Sequence, residues 1–464
     1  MAKIAIIGAG GQVFPLRLIA DILSQSSSKN VHFALMDIDP ITLDRTTKAA
    51  RELIAHHGLA ATVSASTNQH EALRAADYVL VTFQVGGLEA YKYDVEIPRR
   101  YGVDQTVGDT LGPGGVMRFL RTAKALKTIA EDMLEVCPNA LVINYANPMA
   151  MNCWYLSSLG IKTVGLCHSV QNTTHMLAKH LGVPYDEIHY KSAGINHQAW
   201  LLEFKHGDRD LIPEIRQIMR REHLERIDLR EMLADTGDHS EYKREWSIYE
   251  GGQEQVRTWL MDTFGYFHTE SSHHASEYVP WFRKSADHVL RFIPERWDYY
   301  AICEAHHDDQ QTDLLEKLKD KLEPSLEYGA RIIHAMESGE PCVIYGNVPN
   351  DHLIENLPLG CCVEVPCLVD KNGVQATRIG KLPVQLAALN RTNINVQELA
   401  VEAALTGEVD HVFHAIALDP LTSTLLTLEQ IRNMTRELLH AEDEWLPETL
   451  RLPAAKSELL AADD

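Results

Sequence analysis

Lys3-Ile4-Ala5-Ile6-Ile7-Gly8-Ala9-Gly10-Gly11 opens the chain with an apolar run that breaks into glycines, and a helical pattern through Leu16, Ile19, Ile22 and Leu23 follows. Strand, glycine turn and helix in that order let the backbone approach a pyrophosphate lying on the helix N-terminus. Val13 stands where the third glycine of the fingerprint belongs, so the motif is incomplete. The next apolar run, Val31 to Met36, ends in Asp37. A carboxylate there suits both ribose hydroxyls and repels a 2′-phosphate, favouring NAD over NADP. Gly8, Ala9, Gly10, Gly11 and Asp37 are therefore the expected dinucleotide contacts; the alternative is a tight turn with no ligand.

Working outward, a strand from Tyr78 to Phe83 ends in Gln84-Val85-Gly86-Gly87, and Gly108-Asp109-Thr110-Leu111-Gly112-Pro113-Gly114-Gly115 leads into a helix from Val116 to about Glu135. Such a glycine-rich loop either cradles a polar ligand with its N–H groups or simply connects two elements. The strand Leu141 to Asn144 delivers Asn144, Tyr145, Asn147 and Pro148 to the same crevice. Asn side chains donate and accept, which suits vicinal hydroxyls as well as turns. Two further strand-like runs, Thr163 to Leu166 and Tyr190 to Ala193, precede Cys167 and His197. Carboxyl ends of neighbouring strands face the crevice of an open α/β sheet, where a thiolate and an imidazole can hold a divalent metal. On spacing alone, a buried free cysteine and a hydrogen-bonded core histidine are the commoner reading.

Beyond His197 the pattern changes. A strand from Ala199 to Phe204 leads into a charge-rich section, Asp208 to Arg257, that reads as helices and loops. Residues Phe264 to Phe282 are dense in aromatics and histidines without a clean period, which fits a sugar platform or a subunit contact equally. Adjacent side chains diverge, so His273-His274 is not taken as a second metal site. The last third reads as helix Leu326 to Ser338, strands Cys342 to Tyr345 and Cys362 to Leu368, and helices Leu382 to Asn390, Val396 to Thr406 and Thr427 to His440. No repeat, low-complexity segment or flexible linker interrupts the 464 residues.

The formal charge of -22 argues against nucleic acid as a partner. No apolar run reaches membrane-spanning length, and Met1-Ala2-Lys3 leads directly into a strand rather than a signal peptide. The eight cysteines follow neither a disulfide framework nor CxxC zinc spacing. The expectation is a soluble, cytoplasmic protein whose thiols, Cys167 above all, need reducing conditions.

Taken together, Gly8-Ala9-Gly10, Asp109 to Gly115, Asn144-Tyr145-Ala146-Asn147-Pro148, Cys167-His168-Ser169-Val170, Gly194-Ile195-Asn196-His197 and Asn356-Leu357-Pro358 resemble glycoside hydrolase family four, in order over nearly the whole chain. Asn147-Pro148-Met149-Ala150-Met151-Asn152, Thr269-Glu270-Ser271-Ser272 and Tyr345-Gly346-Asn347-Val348 make it most similar to the melibiase-type bacterial α-galactosidases. The resemblance implies a malate/lactate dehydrogenase-like α/β fold: a Rossmann-like NAD-binding domain over residues 1–196, and an intimately packed α+β domain over 197–464 for substrate, metal and oligomerisation. It implies NAD+ and a divalent metal, usually Mn, on Cys167 and His197. His168 follows the cysteine, as in relatives acting on unphosphorylated α-glycosides; Ser169 leans toward α-galactosides such as melibiose.

The family stands apart from glycosidases that use two carboxylates. The implied reaction is redox-assisted elimination and addition: hydride leaves sugar carbon 3 for NAD+, a base removes the now acidic proton at carbon 2, and the leaving group departs from carbon 1. Water then adds and the hydride returns. By match to the family, the base is Tyr278, with Tyr266 second. The proton donor is His168 or Asp109, and Asn147 binds sugar hydroxyls, with His168 also in reach of substrate. An α-galacturonidase or α-glucuronidase is the alternative within the family, needing an arginine such as Arg118, Arg283 or Arg291 for the sugar carboxylate. A malate-type dehydrogenase is the reading outside it. A homodimer or homotetramer is implied, with a small α-glycoside as substrate and neither membrane nor nucleic acid as partner.

Overall fold

The computed structural model describes residues 1–25, 30–224, 254–293, 298–305 and 310–452. Most of the charge-rich section between Asp208 and Arg257 therefore lies outside the described residues. Six strands pair in parallel: β1 (Lys3–Ile7), β2 (His32–Met36), β3 (Thr62–Ser66), β4 (Tyr78–Val81), β5 (Leu141–Asn144) and β6 (Thr163–Gly165). Their order is β3-β2-β1-β4-β5-β6, that of a dinucleotide-binding sheet whose strand order reverses between β1 and β4. Along β1 the pleat sends Ile4 and Ile6 into one core and Ala5 and Ile7 into the other. Helices on both faces, among them Phe14–Ser24 and Gly112–Val136, complete the Rossmann-like half. Each fully buried Ile here contributes about 1.5–3 kcal/mol of transfer free energy.

The sheet does not end at β6. It continues through β11 (Cys342–Pro349), β12 (Cys362–Asp370), β7 (Ile188–Ile195), β8 (Gln198–His206) and β10 (Phe267–His268), every new pairing antiparallel. The short strands β9 (Arg209–Asp210) and β13 (Gly373–Ala376) add to β8 and β12. One register row crosses it: Met36, Ile7, Val81, Asn144, Gly165, Asn347, Glu364 and Gly194. Gly8, Asp37, Tyr145, Cys167 and His197 all follow this row within three residues. No helix among the described residues is long and apolar enough to cross a membrane.

Several expectations are corrected. The strands before Cys167 and His197 are not neighbours, because β11 and β12 lie between them, contributed by residues far along the chain. The two helices expected at Leu382 to Asn390 and Val396 to Thr406 are one helix, Val384–Thr406. Its Asn-rich middle is not a break: Asn390 and Asn393 turn inward and donate their side-chain amides to Gln198, which gives those N–H groups acceptors inside the fold. The helix expected from Val116 begins at Gly112, with Pro113 in its first turn, where a missing N–H costs nothing. Strand β3 has no apolar run to announce it, since it is an edge strand with exposed side chains.

Candidate active site

The glycine turn folds as its sequence requires. Gly8 and Ala9 donate to Met36 O, both at 2.9 Å, and Gly10 N donates to Asp37 Oδ2 at 2.7 Å. Gly8 sits at φ +92, and a Cβ there would lie 2.6–2.8 Å from Phe83 Cβ, N and Cα. A Cβ on Gly10 would lie 2.4 Å from Thr42 Oγ1 and 2.8 Å from Asp37 Oδ2. The other Asp37 oxygen accepts from Asp39 N at 3.1 Å. Behind the turn, helix Phe14–Ser24 has no side-chain cap at Val13, which leaves its first-turn N–H groups without that acceptor, as an anion site requires.

At the other end of the crevice, Cys167, His197 and Glu270 converge, one ligand atom from each lying within 4.8 Å of the others. His197 Nε2 is 3.2 Å from Cys167 Sγ and 3.6 Å from Glu270 Oε2. His197 occupies the two-residue turn between β7 and β8 at φ +59, a left-handed conformation that costs a residue with a Cβ about 1–2 kcal/mol. A glycine would sit there more easily, so the imidazole is held against a backbone preference. Glu270 arrives through β10, whose continuation Thr269 donates to Ala199 O at 3.1 Å. The glycines beneath the pair are close-packed: a Cβ on Gly165 would meet Met149 Sδ at 2.4 Å, and one on Gly194 would meet Gln198 O at 2.5 Å.

The electrostatics of the cluster are those of a cation site. Burial opposes ionisation of the Cys167 thiol, yet the His197 charge and hydrogen bond outweigh it and lower the thiol to about 7. Burial likewise opposes a charged His197, but Cys167 and Glu270 raise it well above the usual imidazole range. Glu270, also working against burial, is held low by His197 and His274. A soft thiolate and a carboxylate, both half-buried, facing a buried imidazole supply two negative charges and three donors, which fits a divalent metal that displaces the imidazolium proton.

A hydrogen-bonded chain leads away from the cluster. His197 Nδ1 is 3.2 Å from the Tyr278 hydroxyl, which donates to Thr110 Oγ1 at 2.7 Å; Thr110 donates to Asp109 Oδ1 at 3.1 Å. Asp109 Oδ2 accepts from Asn147 Nδ2 at 3.0 Å, and Arg118 Nη1 stands 3.8 Å away. Burial would raise the Asp109 carboxyl, but Arg118 and His274 hold it below the usual carboxylate range. Burial pushes the Tyr278 phenol well above its ordinary value. His274, left aside in the sequence, joins the group through Thr110 Oγ1 at 2.9 Å. Tyr266 is elsewhere, packed against the Trp200 and Val256 core.

His168 lies off this chain, its side chain about half exposed. It pairs with Glu327 and meets Phe14 edge-on, with ring centroids 6.4 Å apart, so it stands between the glycine turn and Cys167. Burial of the ring disfavours its charge, and the Glu327 hydrogen bond raises its pKa in spite of that. The structure thus brings Cys167, His197, Tyr278, Asp109 and Asn147 together and keeps Gly8 to Gly11 with Asp37 as a separate cradle. Sequence reasoning missed Glu270, Thr110, His274 and Glu327. Glu270 lies in a quoted motif, but nothing local distinguishes it from any other acidic residue.

Residues 3–183 match the family described as Family 4 glycosyl hydrolase, and residues 192–422 match the Family 4 glycosyl hydrolase C-terminal domain. The chain is 40% identical over 459 residues to an α-galactosidase of Bacillus subtilis, covering 97% of this chain and 100% of that one. It is 34% identical over 474 residues to an α-galactosidase of Rhizobium meliloti, covering 99% and 92%. The fold is shared with a 6-phospho-β-glucosidase of Thermotoga maritima solved with manganese, NAD+ and glucose-6-phosphate (TM-score 0.74, 20% identity, 97% and 100% coverage). With both halves matched and relatives aligned end to end, the chain belongs to glycoside hydrolase family 4.

Proposed function

We propose that this enzyme hydrolyses unphosphorylated α-galactosides such as melibiose, with NAD+ in the Gly8–Gly11 cradle and a divalent cation, Mn in preference, on Cys167, His197 and Glu270. The observation that carries the reading is the convergence of those three donors, half-buried Cys167 and Glu270 around buried His197, beside Tyr278. The identity to two α-galactosidases favours the galactoside. Bound there, the nicotinamide would supply a reversible hydride acceptor and the cation a Lewis acid for negative charge on sugar oxygens.

The chain's own residues divide the remaining work. The helix N-terminus behind Gly8 to Gly11 receives the pyrophosphate, and Asp37 the ribose. Asn147, oriented by Asp109, binds sugar hydroxyls. Tyr278 removes the proton at carbon 2; its raised phenol makes this depend on positive charge beside it, which the cation would provide, with His197 Nδ1 in hydrogen-bond reach of the hydroxyl. Asp109, held ionised, is a poor acid. It orients Asn147 and Thr110 instead, and His168, steered by Glu327, is the better donor to the leaving oxygen. A galacturonide would need an uncommitted arginine. Arg283 contacts Asp104 and Ser276 and Arg291 lies over Phe292, whereas Arg118, bonded to Gln84 through Nη2 and 3.8 Å from Asp109, keeps Nε and Nη1 without a hydrogen-bond partner among the described residues.

The division at residues 196/197, the homodimer or homotetramer and the cytoplasmic location belong to the same proposal; light scattering on the eluted protein tests the oligomer. The function is tested with reduced protein, Mn(II) and NAD+ on p-nitrophenyl α-galactoside, beside the galacturonide and the α-glucoside, each repeated without NAD+ and after chelation. Galactoside cleavage that needs both additions is expected. Cleavage indifferent to them, or steady NADH accumulation, would overturn the mechanism; cleavage of the galacturonide alone would move the substrate.

A further inference from the structure

Thr110 and Asp109 reach the site on a loop, and what holds that loop is a carboxylate with no part in the chemistry above. Glu277 is 1% exposed. Its Oε1 accepts from Thr106 N at 2.5 Å and Val107 N at 2.8 Å, and its Oε2 accepts from Gly108 N at 3.0 Å and Gln105 Nε2 at 3.3 Å. Three consecutive backbone amides turned onto one anion form a nest, with Gly108 at φ +61 completing the curvature. The loop's carbonyls are tied as well: Tyr91 donates to Val107 O at 2.6 Å, Tyr299 N to Thr106 O at 2.9 Å and Arg283 Nε to Asp104 O at 2.5 Å.

The next residue along the chain is Tyr278. One segment therefore grips the loop with Glu277 and offers Tyr278 both to His197 and, at 2.7 Å, to Thr110. We propose that Glu277 is a positioning residue: its carboxylate, seated in the nest of residues 106–108, fixes Thr110 and Asp109 in register with Tyr278. This rests on the reading of Tyr278 and Asp109 given above. Without the anion, three N–H groups lose their shared acceptor in a buried setting, and the loop must rearrange to satisfy them. A misplacement of about 1 Å at the reacting groups can lower turnover on the order of 10²-fold.

The test uses the full-length enzyme with Mn(II) and NAD+ and the variant Glu277→Ala, with sodium formate as the probe. Expected are a kcat lowered on the order of 10²-fold, a KM for p-nitrophenyl α-galactoside and calorimetric affinities for Mn(II) and NAD+ little changed, and faster hydrogen exchange at the amides of residues 106–108. Formate, small enough to take the carboxylate's place, restores kcat saturably and slows that exchange, whereas chloride does neither. Amides that stay protected, or protection by formate without recovery of kcat, overturn the proposal. Should Glu277→Ala fail to fold, Glu277→Gln keeps the volume but offers one acceptor oxygen for three amides. Its kcat falls with faster exchange if the proposal holds, and an unchanged kcat overturns it. A wild-type protein without galactosidase activity would sink the functional reading alone, because the exchange measurements judge the nest independently.

Discussion

The two ends of the crevice are built by opposite means. The glycine cradle is local: its hydrogen bonds join Gly8, Ala9 and Gly10 to Met36 and Asp37, all within the first two strands. The donor cluster is assembled. Cys167, His197 and Glu270 follow the ends of separate strands, and the row beneath them is completed by Asn347 and Glu364 from β11 and β12. A local motif can be read from spacing, and its damage should stay local. An assembled one depends on residues that touch no ligand, so its failure can start far away.

The sharpest way to break this contrast is Cys167→Ser. It should lower galactoside cleavage on the order of 10³-fold and abolish tight Mn(II) binding in calorimetry, while NAD+ affinity stays near that of the wild type. Parallel loss of NAD+ binding would mean the two ends are one unit. Next is Glu270→Gln, which keeps the shape but removes a charge. Mn(II) affinity is expected to fall about 100-fold, and an unchanged affinity would restrict the protein's ligands to Cys167 and His197.

Asn347→Ala tests assembly from a distance. It removes amide contacts to Gly165 O (3.3 Å) and Glu364 Oε1 (3.1 Å) without touching a donor, and should weaken Mn(II) about 10-fold with NAD+ binding intact. Full metal affinity in a folded Asn347→Ala protein would show that β11 and β12 only carry the cluster rather than tune it. An effect of similar size, on the other cofactor, is expected at the local end. Asp37→Asn should narrow the preference for NAD+ over NADP+ by roughly 10-fold, with Mn(II) binding unaffected, as read by fluorescence titration of the two reduced cofactors.

Legibility followed the same division. The strand Lys3 to Ile7 and its glycines were readable because the pleat, the turn and the helix that follow are fixed by neighbours in sequence. The continuous helix Val384–Thr406 was not, because the polar stretch between Asn390 and Val396 shows no apolar period, and only Gln198, accepting from Asn390 and Asn393, gives it a buried partner. In the site, Cys167, His197, Asn147, Asp109 and Tyr278 were nameable through the resemblance of whole motifs. Glu270 and Thr110 were not, since a carboxylate or a hydroxyl has no meaning until its neighbours are in place.

By itself the sequence determined the dinucleotide half, the membership of its motifs in one family and the set of side chains available for the chemistry. Those are properties of residue type, order and short-range backbone preference. Only the tertiary structure decided that β11 and β12 enter between the strands of Cys167 and His197, that Glu270 comes within 4.8 Å of both, and that Glu277 holds the loop of Asp109 and Thr110. Each depends on pairings between residues 70 or more positions apart, which are selected by the packing of the whole sheet and leave no periodic trace in the chain.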